Sequence, residues 1–247
     1  MANQSTLDKL RGMRLSVAAA AYQDQDTMRG VEAMTFDERL AQIVDAEWDS
    51  RRSNKRVRLM RQAQLSCPEA NVADIVYDAD RGLDRSEMLE LSNCTWVTER
   101  RNVVLVGASG AGKTWVGCAL AAAACNAFHT VRYVRMPEML DELAASRDED
   151  WLKAKRRYRK CDLLFVDDWL LEPVGPREAR ELLELVESRY RNGSMIICSQ
   201  YGPSGWHERI SEGALADAVI DRLVYNSRMI HLKGKESMRK RMAELEK

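Results

Sequence analysis

The sequence predicts an α/β protein in which a parallel sheet, covered by helices on both faces, follows a small all-helical domain. Three observations predict it. From Asn102 onward, short apolar runs alternate strictly with helical stretches, an order that produces a parallel sheet. One junction between such a run and the next helix carries the spaced glycines of a phosphate-binding turn. Up to about residue 95 the chain has helical periodicity only.

Near the N-terminus, Leu7, Leu10, Met13, Val17 and Ala21 recur at intervals of three and four, and Phe36, Leu40, Ile43, Val44 and Trp48 repeat the pattern. Thr35 and Glu38 form a capping-box pair ahead of the second run. Residues 1–95 are therefore read as a helical N-terminal domain and 96–247 as the sheet domain. Within the latter, the apolar runs 103–106, 131–134, 163–166, 195–198 and 229–232 are flanked by turn or charged residues, as buried parallel strands are. Helical stretches at 112–126, 137–146, 176–191 and 214–226 lie between them.

Composition narrows the function. With 45% hydrophobic and 31% charged residues, the chain of 247 can build a sizeable core and is not a disordered segment. Lys plus Arg and Asp plus Glu both number 38, so the formal net charge is zero and any attraction to nucleic acid must come from local patches. Six cysteines without a C-x-x-C pair, and three histidines far apart in sequence, argue against a disulfide framework or a zinc site. A reducing, cytoplasmic setting is expected. No apolar run approaches the length of a membrane span, about 18 residues, and no basic-then-apolar leader is visible.

The chemistry begins at Gly107-Ala108-Ser109-Gly110-Ala111-Gly112-Lys113-Thr114, which satisfies G-x-x-x-x-G-K-[ST] directly after an apolar run and at the start of an alanine-rich helix. In such a turn the backbone N–H groups curl around phosphate oxygens, and the helix N-terminus adds positive potential. Lys113 is expected to reach the β- and γ-phosphates of ATP, Thr114 to ligate Mg²⁺, and Trp115 to complete the nucleotide-binding segment. The run 163–166 ends in Asp167-Asp168, with Asp167 the expected Mg²⁺ partner and Asp168 placed to polarise an attacking water. Gln200, or alternatively Ser199, follows the run 195–198 and could contact that water or the γ-phosphate; a plain strand exit fits equally well. Two late arginines, Arg222 and Arg239, are candidates for a cation delivered to the transferring phosphate, although spacing alone reads each as a surface ion pair.

Two acid-free basic clusters stand out. One comprises Arg51, Arg52, Lys55, Arg56, Arg58 and Arg61; the other comprises Lys153, Lys155, Arg156, Arg157, Arg159 and Lys160. Either could neutralise DNA phosphates, and either alone reads as a solvated helix face.

Taken in this order, the chain resembles the IstB-like transposition helper ATPases, AAA+ proteins related to the DnaC helicase loaders. The likeness runs nearly end to end. It includes Thr6-Leu7-Asp8-Lys9-Leu10-Arg11, Arg81-Gly82-Leu83-Asp84-Arg85, Trp206-His207-Glu208, Ala216-Asp217-Ala218-Val219-Ile220-Asp221-Arg222-Leu223-Val224 and Glu236-Ser237-Met238-Arg239. The resemblance implies a core of five parallel strands and a homo-oligomer with ATP between neighbouring subunits. It also implies double-stranded target DNA held for a cognate transposase. Carried onto matching positions, it places Gln200 at the first sensor, Arg222 at the arginine finger and Arg239 at a second sensor. The chain departs from the pattern at Trp169, where Phe then Gly is usual, and at Tyr201-Gly202-Pro203, where Leu-Pro is usual.

The function expected is an ATP-dependent transposition helper that assembles on target DNA and delivers it, with hydrolysis resetting the assembly. A DnaC-like helicase loader is the alternative. A small-molecule phosphotransferase would want an arginine-rich lid and an acceptor pocket, and the sequence displays neither.

Overall fold

A computed structural model describes residues 2–78, 80–145, 149–234, 237, 238 and 240. By compactness the chain forms two units, Met1–Arg58 and Leu59–Lys247.

The first unit holds the helices α1 (Gln4–Gly12) and α2 (Ser16–Asp24) and most of α3 (Phe36–Ala63), which runs on into the second unit. Asn3 caps α1 by accepting the Ser5 N–H at 2.9 Å. The capping box ahead of α3 is formed: the Thr35 N–H donates to Glu38 Oε2 at 2.7 Å, and the Glu38 N–H to Thr35 Oγ1 at 3.3 Å. Leu7, Ala18 and Ala19 are buried. Phe36, Leu40, Val44 and Trp48 are not, with Phe36 76% exposed. Their spacing marks a helix, as it should, while the apolar face it predicts stays uncovered.

The second unit opens with residues 59–101, including α4 (Arg85–Ser92) and α5 (Thr95–Thr98). Leu59, Ala63, Val72, Met88, Trp96 and Val97 are buried in one layer with Val103, Leu105 and Phe165 of the sheet. Residues 59–95, grouped by sequence pattern with the helical part, thus pack as one body with the strands.

Then follow β1 (Asn102–Val106), α6 (Lys113–Asn126), β2 (Val131–Arg135), α7 (Met136–Ala145), α8 (Glu149–Lys160), β3 (Leu163–Asp167), α9 (Pro176–Arg189), β4 (Ser194–Ser199), α10 (Pro203–Arg209), α11 (Gly213–Val224) and β5 (Ser227–His231). All five expected apolar runs are strands of one sheet, ordered β2-β3-β4-β1-β5, with every neighbouring pair parallel. The four expected helices correspond to α6, α7, α9 and α11; Ser146, the last residue expected in the second of them, lies outside the described residues. Strand side chains alternate between two cores, Val103 and Leu105 into one, Val104 and Val106 into the other, which is why the runs read as continuously apolar.

Two contacts fix how the layers meet. A Cβ at Gly117 would lie 2.4 Å from the Phe165 ring, so only glycine lets α6 approach β3 this closely. On the far side, the buried Arg189 guanidinium donates to the carbonyls of Ser194 at 2.6 Å, Tyr158 at 2.8 Å and Cys161 at 3.1 Å. It ties the starts of β3 and β4 to the end of α9.

Candidate nucleotide site

The turn from β1 into α6 is built around backbone that favours glycine: Gly110 has φ +80° and Gly112, the residue capping α6, φ +88°. Lys113 bends back across the loop, donating from Nζ to the carbonyls of Gly107 at 2.8 Å and Ala108 at 2.9 Å. The helix that follows is apolar nearly all round and buried, so the loop sits on a rigid base.

Close packing of α6 on β3 brings Thr114 to Asp167. The Thr114 hydroxyl donates to Asp167 Oδ2 at 2.8 Å, the Tyr133 hydroxyl donates to the same oxygen at 3.3 Å, and the Asp168 N–H donates to Oδ1 at 3.0 Å. Asp167 is 4% exposed. Burial pushes its carboxyl above the ordinary range, and the bonds from Thr114, the Asp168 N–H and Tyr133 oppose that shift. Because Thr114 donates its proton to the carboxylate, its hydroxyl oxygen keeps lone pairs for a cation. No cluster of three or more His, Cys, Asp or Glu suited to a metal exists among the described residues. An ion here would therefore take most of its ligands from phosphate and water, which is how Mg²⁺ binds.

Asp168 adopts φ +53° and turns toward α7. Its Oδ2 accepts from Arg135 Nε and Nη2, both at 2.9 Å, and it borders a cavity of about 270 Å³ shared with Met136, Asp141 and Glu172. Bonding to Asp168 and its charge raise the Arg135 pKa.

The remaining expected residues are distributed around this centre. Gln200 directly follows β4, whose last carbonyl, that of Ser199, accepts the Gly107 N–H at 3.2 Å, so this strand exit lies beside the cradle. Ser199 itself is committed to the core, donating to the Trp169 carbonyl and accepting from Trp206 Nε1, each at 2.9 Å. The bulky Trp169 and Trp206, edge to face at 6.1 Å, explain how the chain accommodates its departure at residue 169. Arg222 is not brought to the cradle of its own chain. It bonds Glu187 Oε1 and the Ala218 carbonyl, each at 2.9 Å, and lines a small pocket with Asn102 and Met195, at the amino ends of β1 and β4. Arg239 lies outside the described residues, but Met238 just before it donates its N–H to the Gly110 carbonyl at 2.9 Å.

The basic clusters also separate. Arg51, Arg52, Lys55, Arg56 and Arg58 are all exposed on α3. In the second cluster Lys153, Arg156 and Arg157 are exposed, whereas Lys155 is buried against Glu184 at 2.6 Å and Glu181 at 3.0 Å. Lys155, expected with the cluster, is therefore not available to an exposed cationic surface, because its charge is paired with two carboxylates of α9.

Three residues that sequence reasoning missed hold the site: Arg135, Tyr133 and Arg81. The buried Arg81 guanidinium donates to the Ala111 carbonyl at 2.8 Å and the Val76 carbonyl at 2.7 Å, bracing the phosphate loop. Its signal was the segment Arg81-Gly82-Leu83-Asp84-Arg85; nothing local marks the other two.

A parallel sheet with strand order β2-β3-β4-β1-β5, a glycine-rich cradle after β1 and an acid ending β3 define a P-loop nucleotide-binding protein of the AAA+ type. Among solved structures the chain is similar to AMPPCP-bound DnaA from Aquifex aeolicus, with TM-score 0.60 and 16% identity over 74% of this chain and 55% of that one. It is similar also to the DnaC helicase loader, with TM-score 0.53 and 15% identity over 67% and 97% of the two chains. At such identities the likeness is one of fold. The chain belongs to the family of IstB-like ATP binding proteins, whose model matches residues 7–245. A relative in Sinorhizobium fredii that bears the name of an insertion-sequence ATP-binding protein is 37% identical over 95% of this chain and 96% of its own. One from Pseudomonas fluorescens, named likewise, is 33% identical over 81% and 87%. No helix among the described residues is long and apolar enough to cross a membrane.

Proposed function

We propose that this chain is an ATP-hydrolysing transposition helper that assembles with ATP and Mg²⁺ between protomers, holds double-stranded target DNA and presents it to a transposase. Hydrolysis resets the assembly. The observation that carries the reading is the placement of Arg222 at the amino edge of the sheet while the cradle lies at the carboxyl edge. An arginine so placed serves the cradle of a neighbour, so head-to-tail contact between copies completes the site.

Within each protomer the loop amides and Lys113 grip the triphosphate, and Thr114 with Asp167 holds the metal. Bound Mg²⁺ supplies charge neutralisation on the phosphates. Asp168 polarises the attacking water, Gln200 contacts it or the γ-phosphate, and Arg239 is the second sensor. The helical N-terminal part serves assembly and DNA contact, through Arg51, Arg52, Lys55, Arg56 and Arg58, with Lys153, Arg156 and Arg157 as a second phosphate-binding surface. Six free thiols suit work in the cytoplasm.

Lys113→Ala is expected to abolish ATP-dependent assembly on a duplex of about 50 base pairs, a length that spans several helical turns. Asp168→Ala is expected to assemble and fail to turn over. Normal ATP hydrolysis by Lys113→Ala would show that the cradle is misassigned.

A further inference from the structure

Asp167 is held by more than its neighbour on α6. Tyr133 of β2 stands opposite Phe165 in the β2–β3 register, two residues before the position opposite Asp167, and its ring meets Phe165 edge-on at 5.0 Å and 79°. That contact sets the phenol where its hydroxyl reaches Asp167 Oδ2 at 3.3 Å.

We propose that Tyr133 is a positioning residue for divalent-metal binding: its hydroxyl holds Asp167 Oδ2 so that the carboxylate presents one fixed orientation to a magnesium ion. The proposal rests on the nucleotide-site reading above. It differs from a packing role because a phenylalanine would keep the contact with Phe165 and lose only the hydroxyl. Without it, Oδ2 keeps the Thr114 bond alone, and the ordering of the carboxylate must be supplied when the metal binds.

The test uses full-length Tyr133→Phe and the non-hydrolysable analogue AMPPCP. Thermal stabilisation by AMPPCP is followed in EDTA, then titrated with MgCl₂. The expected result is unchanged stabilisation in EDTA, with the Mg²⁺ midpoint raised about 3- to 10-fold, the value of one ordinary hydrogen bond, the 3.3 Å contact being too long for the full strength of a charge-assisted one. A Tyr133→Phe midpoint equal to wild type, or an equal loss of stabilisation in EDTA, overturns the proposal while leaving the nucleotide site standing. No stabilisation of wild type by AMPPCP with Mg²⁺ would instead bring down the nucleotide site itself and the Tyr133 proposal with it.

Discussion

If Arg222 works on a neighbour's ATP, two inactive variants should rescue each other. Arg222→Ala leaves the cradle, Asp167 and Asp168 untouched; Asp168→Ala leaves Arg222 in place. The Arg222–Glu187 pair is 31% and 49% exposed on its two sides, so breaking it costs no more than about 1 kcal/mol and the variant stays folded. Loss of an arginine acting on the transferring phosphate lowers turnover by about 10³-fold or more. Each variant alone is then near background. In an equal mixture of head-to-tail assemblies, about one quarter of interfaces pair an intact cradle with an intact arginine, one half multiplied by one half. Steady-state phosphate release from the mixture should accordingly recover to about a quarter of wild type, rising and falling with the mixing ratio around a maximum at equal parts. A mixture that gives only the sum of the two separate rates at every ratio refutes action between protomers.

Other predictions concern stability and DNA. Arg189→Ala strips the donor from at least three buried carbonyls and should lower unfolding free energy by about 3–5 kcal/mol in denaturant titrations, with no separate effect on nucleotide affinity. Asp167→Asn should melt higher than wild type at neutral pH in the absence of nucleotide. Burial raises the folded pKa of Asp167, so the folded state binds more protons and wild-type stability from this group falls as pH rises from its unfolded value through its folded one; the advantage of Asn should shrink toward pH 4, and an advantage that grows on acidification would contradict the sign. For DNA, Arg56→Ala with Arg58→Ala should reduce the slope of log affinity against log salt by about 2, since each exposed cation neutralises roughly one phosphate. Lys155→Ala should leave that slope unchanged and lower the melting temperature, because it uncouples α8 from Glu181 and Glu184 on α9.

What could be read from the sequence follows a physical line. The cradle is legible because its chemistry is contiguous: glycines, lysine and threonine act within eight residues, 107–114, and the turn they make needs no distant partner. The five strands are legible because both sheet faces are covered, which leaves unbroken apolar runs. Asp167 could be found as an acid ending such a run, yet its bond to Thr114 depends on how closely α6 approaches β3, a distance set by Gly117 against Phe165.

Legibility fails where partners are supplied by strand order. Arg135 and Tyr133 look like ordinary residues of an edge strand until β2 is placed beside β3, and only then do they fall against Asp168 and Asp167. Lys155 fails for a related reason: in a run of cations, nothing local says which one faces Glu181 and Glu184. The stripe on α3 fails in the opposite sense, since helical spacing fixes a face but not what covers it. Arg222 shows the consequence for function. Its sequence position after the fourth strand says that it comes late in the chain, whereas its place beside Asn102 and Met195 says that it stands at the wrong end of the sheet for its own cradle. If Arg222 acts on the transferring phosphate as proposed, this topology requires that it act on the cradle of a neighbouring protomer rather than its own.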